Sequence, residues 1–128
     1  MKVMKFGGSS IGTTEKAKGV INIIKDVTSS NTNVAVVLSA FGNSTDQLIE
    51  MSRMAGSGNT QYKELLQSFS EKHSNFISTL IEQSQKTVLR SINQSFEELK
   101  DILHGIFLVK EFSKVYQAGA CGLIWTFY

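Results

Sequence analysis

The chain has 128 residues, 41% of them apolar and 19% charged, which is enough for one domain and too few for two ordinary ones. Its net charge of +2, from lysines spread along the sequence, makes no case for nucleic acid as a partner. One cysteine, Cys121, rules out an internal disulfide framework and any multi-cysteine metal site. No segment approaches the roughly 18 consecutive apolar residues of a membrane helix. The start, Met-Lys-Val-Met-Lys-Phe-Gly-Gly, lacks the apolar core of a signal peptide, so a cytoplasmic location is expected. Proline is absent, which suits long unbroken helices.

Lys2 to Phe6 reads as a short strand. Alternation puts Val3 and Lys5 on one face and Lys2, Met4 and Phe6 on the other. The stretch Lys5-Phe6-Gly7-Gly8-Ser9-Ser10 then ends the strand in glycines and hydroxyls. Glycines let a ligand approach backbone N–H groups, and a helix start beyond them directs partial positive charge forward. With a lysine beside it, this corner reads as an anion site, most simply for phosphate. It is not a Walker A loop, because the lysine precedes the glycines. Nor do Gly7, Gly8 and Gly12 have the spacing of a dinucleotide fingerprint. An ordinary glycine turn after a strand-end lysine is the plain alternative.

Thr13 or Thr14 can cap the next helix, with Glu15 in its first turn. Ala17, Val20, Ile21, Ile24 and Val27 give that helix one apolar stripe. A polar turn at 28–33 leads to Val34-Ala35-Val36-Val37-Leu38, a continuous apolar run suited to a parallel strand. Strand, helix and strand make a βαβ unit. The second strand ends in Ser39-Ala40-Phe41-Gly42-Asn43-Ser44-Thr45-Asp46. Ligands of open α/β sheets bind at the carboxyl ends of the strands, so this loop and the first should face one crevice. Ser44 or Thr45 can cap the helix through Leu48, Met51, Ser52 and Ala55. Two amphipathic helices follow, one from Tyr62 to Ile81 and one from Val88 to Phe107, with a break near 84–86. They should pack antiparallel on one another and on the sheet. His73 falls on an apolar stripe and reads as a hydrogen-bonded core or boundary histidine. His104 and the charged residues at 63–72 and 97–101 read as helix surface. From Val115 to Tyr128 there is no charge, and this stretch holds the only Trp and the only Cys.

Lys-Phe-Gly-Gly-Ser-Ser-Ile-Gly, residues 5–12, resembles the N-terminal signature of aspartokinases. Residues 36–46, Val-Val-Leu-Ser-Ala-Phe-Gly-Asn-Ser-Thr-Asp, resemble that family's second motif at the expected distance. Glu50-Met51-Ser52-Arg53-Met54-Ala55 and the His73 region extend the likeness to about residue 113, most like the kinase part of aspartokinase–homoserine dehydrogenase fusions. The resemblance implies an α/β, carbamate-kinase-like amino-acid-kinase fold, of which this chain is the N-terminal part: a parallel βαβ unit plus a long helical hairpin. It implies transfer of the ATP γ-phosphoryl group to the β-carboxylate of L-aspartate, the first step toward lysine, threonine and methionine, with Mg²⁺ as counter-charge. Lys5 is then the catalytic cation. Lys5, Gly7, Gly8 and Ser9 bind nucleotide phosphate, and Ser39 and Thr45 hold aspartate. No protein metal ligand is implied. The Ser-Ala-Phe-Gly-Asn-Ser-Thr-Asp loop favours aspartate over other acceptors.

The likeness stops after Glu111-Phe112-Ser113. The family continues with a glutamate that helps bind substrate, whereas here no Asp or Glu follows Glu111. Residues 1–113 are therefore expected to be a truncated portion of the catalytic domain with little activity alone, and 114–128 an apolar tail foreign to the fold. Completion by a second chain is the alternative origin. A non-catalytic anion-binding or self-associating α/β module is the alternative function. An open sheet edge and apolar face predict self-association, a homo-oligomer or marginal stability.

Overall fold

A computed structural model describes residues 1–30, 33–81 and 85–110. The chain divides into two units, residues 1–43 and 44–128. The aromatic tail and Glu111-Phe112-Ser113 lie outside the described residues.

The first unit is mixed α/β. Strand β1 (Lys2–Phe6) and strand β2 (Val34–Leu38) pair in parallel, with Lys2 opposite Val34, Lys5 opposite Val37 and Phe6 opposite Leu38. Helix α1 (Gly8–Ile11) and helix α2 (Thr14–Ser29) lie between them in sequence. The short α1 is an addition to the sequence reading, which leaves this stretch as loop. It is a single turn after the extended Gly7, closed by the Ser10 N–H donating to the Gly7 carbonyl at 2.9 Å. Its one apolar residue, Ile11, is buried.

Thr13 caps α2 as expected, its hydroxyl accepting from the Lys16 N–H at 3.3 Å. The Glu15 carboxyl in that first turn is held below its usual range by a backbone hydrogen bond and then by the Thr13 hydroxyl. Only Ala17 and Val20 of the α2 stripe are fully buried. Ile21, Ile24 and Val27 are half-buried, so the helix is anchored at its N-terminal end.

The second unit is helical. Helix α3 (Ser44–Gly56), helix α4 (Tyr62–Leu80) and helix α5 (Gln85–Val109) pack pairwise on one another. The expected periodic residues form the core: Leu48, Met51 and Ala55 from α3, Tyr62, Leu66 and Phe69 from α4, and Leu99, Leu103 and Ile106 from α5. Burying each large side chain contributes about 1.5–3 kcal/mol. Tyr62 meets Phe107, with ring centroids 5.7 Å apart, and Phe69 meets Phe96 at 6.0 Å. Early residues of α4 thus face late residues of α5, the antiparallel register expected of the hairpin.

Gly58, at φ +74°, turns the chain between α3 and α4, a conformation open to glycine. The Ser57, Gly58 and Asn59 N–H groups donate to the Arg53, Ala55 and Met54 carbonyls and close the end of α3. No described helix is long and apolar enough to cross a membrane.

Candidate functional site

Parallel pairing sends both strands of the first unit into loops at one end of the sheet. The ladder runs one residue beyond β2, where the Ser39 N–H donates to the Phe6 carbonyl at 3.0 Å. Ser39, two residues past Val37, therefore continues the pleat side that carries Lys5. Lys5 is exposed and Ser39 half-buried.

Beyond this point the loops touch. A Cβ at Gly8 would sit 2.9 Å from the Ala40 carbonyl oxygen and 3.2 Å from that of Gly42. Both are backbone atoms that cannot swing aside, so only glycine fits there. Gly12 is less tight, with a Cβ 3.1 Å from the Gly8 carbonyl oxygen, a contact that a shift of a few tenths of an ångström would relieve. Gly42 has φ +55°, which lets the second loop fold back on the first. Gly7 differs, because a Cβ there would meet nothing within 4 Å. The glycine pair thus combines close backbone packing at Gly8 with open space at Gly7.

Ser9 lies exposed on α1, and its carbonyl accepts from the Lys16 Nζ at 3.1 Å. Lys16 is a cation at this corner that the sequence reading did not single out. Its reach back from the first turn of α2 depends on α1 being helical, and nothing in the Gly-Ser-Ser-Ile stretch signals that helix.

Of the six residues singled out, Lys5, Gly7, Gly8, Ser9 and Ser39 belong to the first unit. Thr45 belongs to the helical unit, where Ser44 and Thr45 are the first two residues of α3 and Asp46 supplies a negative charge to its first turn. Thr45 is half-buried. In the same turn the Gln47 Oε1 is buried without a hydrogen-bond partner.

The Ser44 hydroxyl lies 3.1 Å from His73 Nε2 on α4, and His73 Nδ1 lies 2.8 Å from the Phe69 carbonyl oxygen. His73 is 3% exposed, the buried and hydrogen-bonded histidine that its place on the apolar stripe predicts. Burial pushes its pKa down, the Phe69 backbone bond offsets this in part, and Lys72 adds to the lowering. Ser44 and His73 are 29 residues apart, and no local pattern announces their pairing.

A separate cleft of about 570 Å³ lies between α4 and α5, lined by Tyr62, Leu66 and Phe96 together with Lys63, Lys100 and Asp101. It holds none of the six residues. Its Lys100 is already matched by Glu97 at 3.0 Å. Among the described residues no three His, Cys, Asp or Glu side chains are grouped to hold a metal ion.

A lysine and two glycine-containing loops stand at the carboxyl ends of parallel strands, where open α/β sheets bind their ligands. Comparison with known families is more specific. The amino acid kinase family profile matches residues 1–119, and the chain belongs to that family. Its curated relatives include a bifunctional aspartokinase/homoserine dehydrogenase of Buchnera aphidicola subsp. Acyrthosiphon pisum, 32% identical over 121 residues, covering 87% of this chain and 14% of the relative. Aspartokinase 2, chloroplastic, of Arabidopsis thaliana is 34% identical over 112 residues, covering 85% of this chain and 19% of the relative. An aspartokinase of Geobacillus stearothermophilus is 37% identical over 51 residues, or 40% of this chain. The chain thus spans less than a fifth of the length of the first two relatives.

Proposed function

We propose that the chain carries the phosphate corner and part of the acceptor site of an aspartokinase-type phosphotransferase. Supporting this reading most directly is the close approach of Gly8 to the Ala40–Gly42 backbone, which joins the two motif loops within one unit. The aspartokinase names of the relatives supply the acceptor.

The chemistry suits these residue types. A β-carboxylate is ionised near neutral pH and needs no general base. One of its oxygens attacks the γ-phosphorus of ATP, the bond from that phosphorus to the β,γ-bridging oxygen breaks, and ADP leaves with the electron pair. The difficulty is bringing two anions together, so positioning and charge neutralisation carry the catalysis. Lys5 contacts the transferring phosphoryl oxygens and offsets their charge. The N–H groups of Gly7, Gly8 and Ser9 face the phosphates, and the open space at Gly7 admits them. Ser39 and the Thr45 hydroxyl hold aspartate. When bound with the nucleotide phosphates, whose oxygens it prefers as ligands, Mg²⁺ would supply further counter-charge. The protein acts in the cytoplasm, where ATP and aspartate are both present.

Because the chain matches so small a share of its relatives' length, binding without turnover is the expected behaviour of the chain alone. Calorimetric titration should show L-aspartate binding in the presence of Mg·ATP, with L-glutamate at least about tenfold weaker, as a site matched to one side-chain length requires. Equal affinity for the two acids would remove aspartate as the acceptor. Robust aspartyl-hydroxamate formation with ATP and Mg²⁺ would overturn the absence of turnover.

A further inference from the structure

His73 is a buried ionisable side chain that the proposed phosphoryl transfer does not use. The Phe69 carbonyl can only accept, so His73 Nδ1 carries the proton and donates to it at 2.8 Å. In the neutral ring Nε2 is then an acceptor, and the Ser44 hydroxyl, 1% exposed, stands 3.1 Å away to donate. The ring cannot readily rotate. Its centroid lies 4.2 Å from that of Phe69 and 5.9 Å from that of Phe96, whose ring plane stands at 72° to its own. The acceptor lone pair therefore points in a direction set by α4 and α5, and it points at the first residue of α3. The next residue is Thr45.

We propose that His73 is a positioning residue for the first turn of α3 and, through the Ser44–Thr45 peptide, for the Thr45 hydroxyl that holds the acceptor carboxylate. This rests on the reading of Thr45 given under Proposed function. Held from one side by a rigid imidazole, the turn keeps Thr45 at one orientation before substrate arrives, which lowers the ordering cost of binding. A purely structural histidine would support the hairpin and leave acceptor affinity alone.

The test uses the full chain with His73→Phe, which keeps a ring but loses the acceptor, His73→Gln, which can restore an acceptor oxygen, and Ser44→Ala. Calorimetry with L-aspartate should show His73→Phe and Ser44→Ala each weakened about fivefold, the scale of one lost hydrogen bond. Their double variant should be no weaker than either alone, His73→Gln should recover part of the loss, and Mg·ATP affinity should stay unchanged. Additive losses, or full aspartate affinity in folded His73→Phe, would overturn the proposal. If His73→Phe does not fold, Ser44→Ala and His73→Gln decide the matter on the same criteria. Nitrogen NMR of the imidazole should show the proton on Nδ1, and the opposite tautomer would also overturn it. Should the unaltered chain bind no aspartate, the reading of Thr45 fails. The clamp itself is then judged by amide exchange at residues 45–47. Faster exchange there in Ser44→Ala, with α5 unchanged, upholds the clamp, and unchanged exchange removes it.

Discussion

At Gly8 there is no room for a side chain, because the Ala40 carbonyl oxygen would stand 2.9 Å from its Cβ. Gly8→Ala must push two backbone segments apart, at an expected cost of about 1–3 kcal/mol, the usual scale of overpacking. Urea unfolding followed by circular dichroism should detect this, and Gly7→Ala should cost less because its Cβ enters open space. Sequence shows two glycines at this corner but not which of them is sterically required. That distinction depends on Gly42, 34 positions further along, folding back at φ +55°. Lys5, by contrast, is legible as a strand-end cation and is found exposed at the end of β1.

At the scale of elements, 3.6-residue periodicity makes α3, α4 and α5 readable, because each buries a continuous stripe in one core. The turn α1 escapes such reading, since four residues carry no period and its hydrogen bonds depend on Gly7 being extended. The contact between α3 and α4 through Ser44 and His73 escapes as well, since it joins positions 29 residues apart. That contact has a pH consequence. Burial holds the folded-state pKa of His73 below its ordinary value, so the unfolded chain takes up a proton first as pH falls. The stability it contributes is fully present above about pH 6.5 and is lost progressively as pH falls from there through the lowered folded-state value. Thermal melts should drop between pH 7.5 and pH 5, and His73→Phe should lose part of that drop. Identical pH profiles for the two proteins would contradict a buried neutral histidine.

For the molecule as a whole, the described sheet has two strands and each of them is an edge. Val3 is 64% exposed and Val37 49%, on the same pleat side as Lys5. Continuous apolar strands normally lie covered on both faces, so this face is expected to associate. Sedimentation velocity should show mass rising with concentration, and Val3→Thr with Val37→Thr should reduce the rise. A monodisperse monomer across the range would contradict it. The parallel βαβ unit and the helical hairpin were both legible in the sequence, as was the meeting of two loops at one end of the sheet. An open edge and apolar face were expected too, but not which strand residues stand exposed, because burial depends on what covers an element and not on its own pattern.

The most direct test of the central claim is calorimetric titration of Mg·ATP into the chain and into Lys5→Ala. Lys5 is exposed, so its removal should change stability by no more than about 0.5 kcal/mol, leaving a folded protein to compare. A phosphate corner built on Lys5 predicts Mg·ATP binding that weakens at least about tenfold in the variant, the order expected for a lost charge-assisted contact. Equal binding by the two proteins, or none by the unaltered chain, would contradict it.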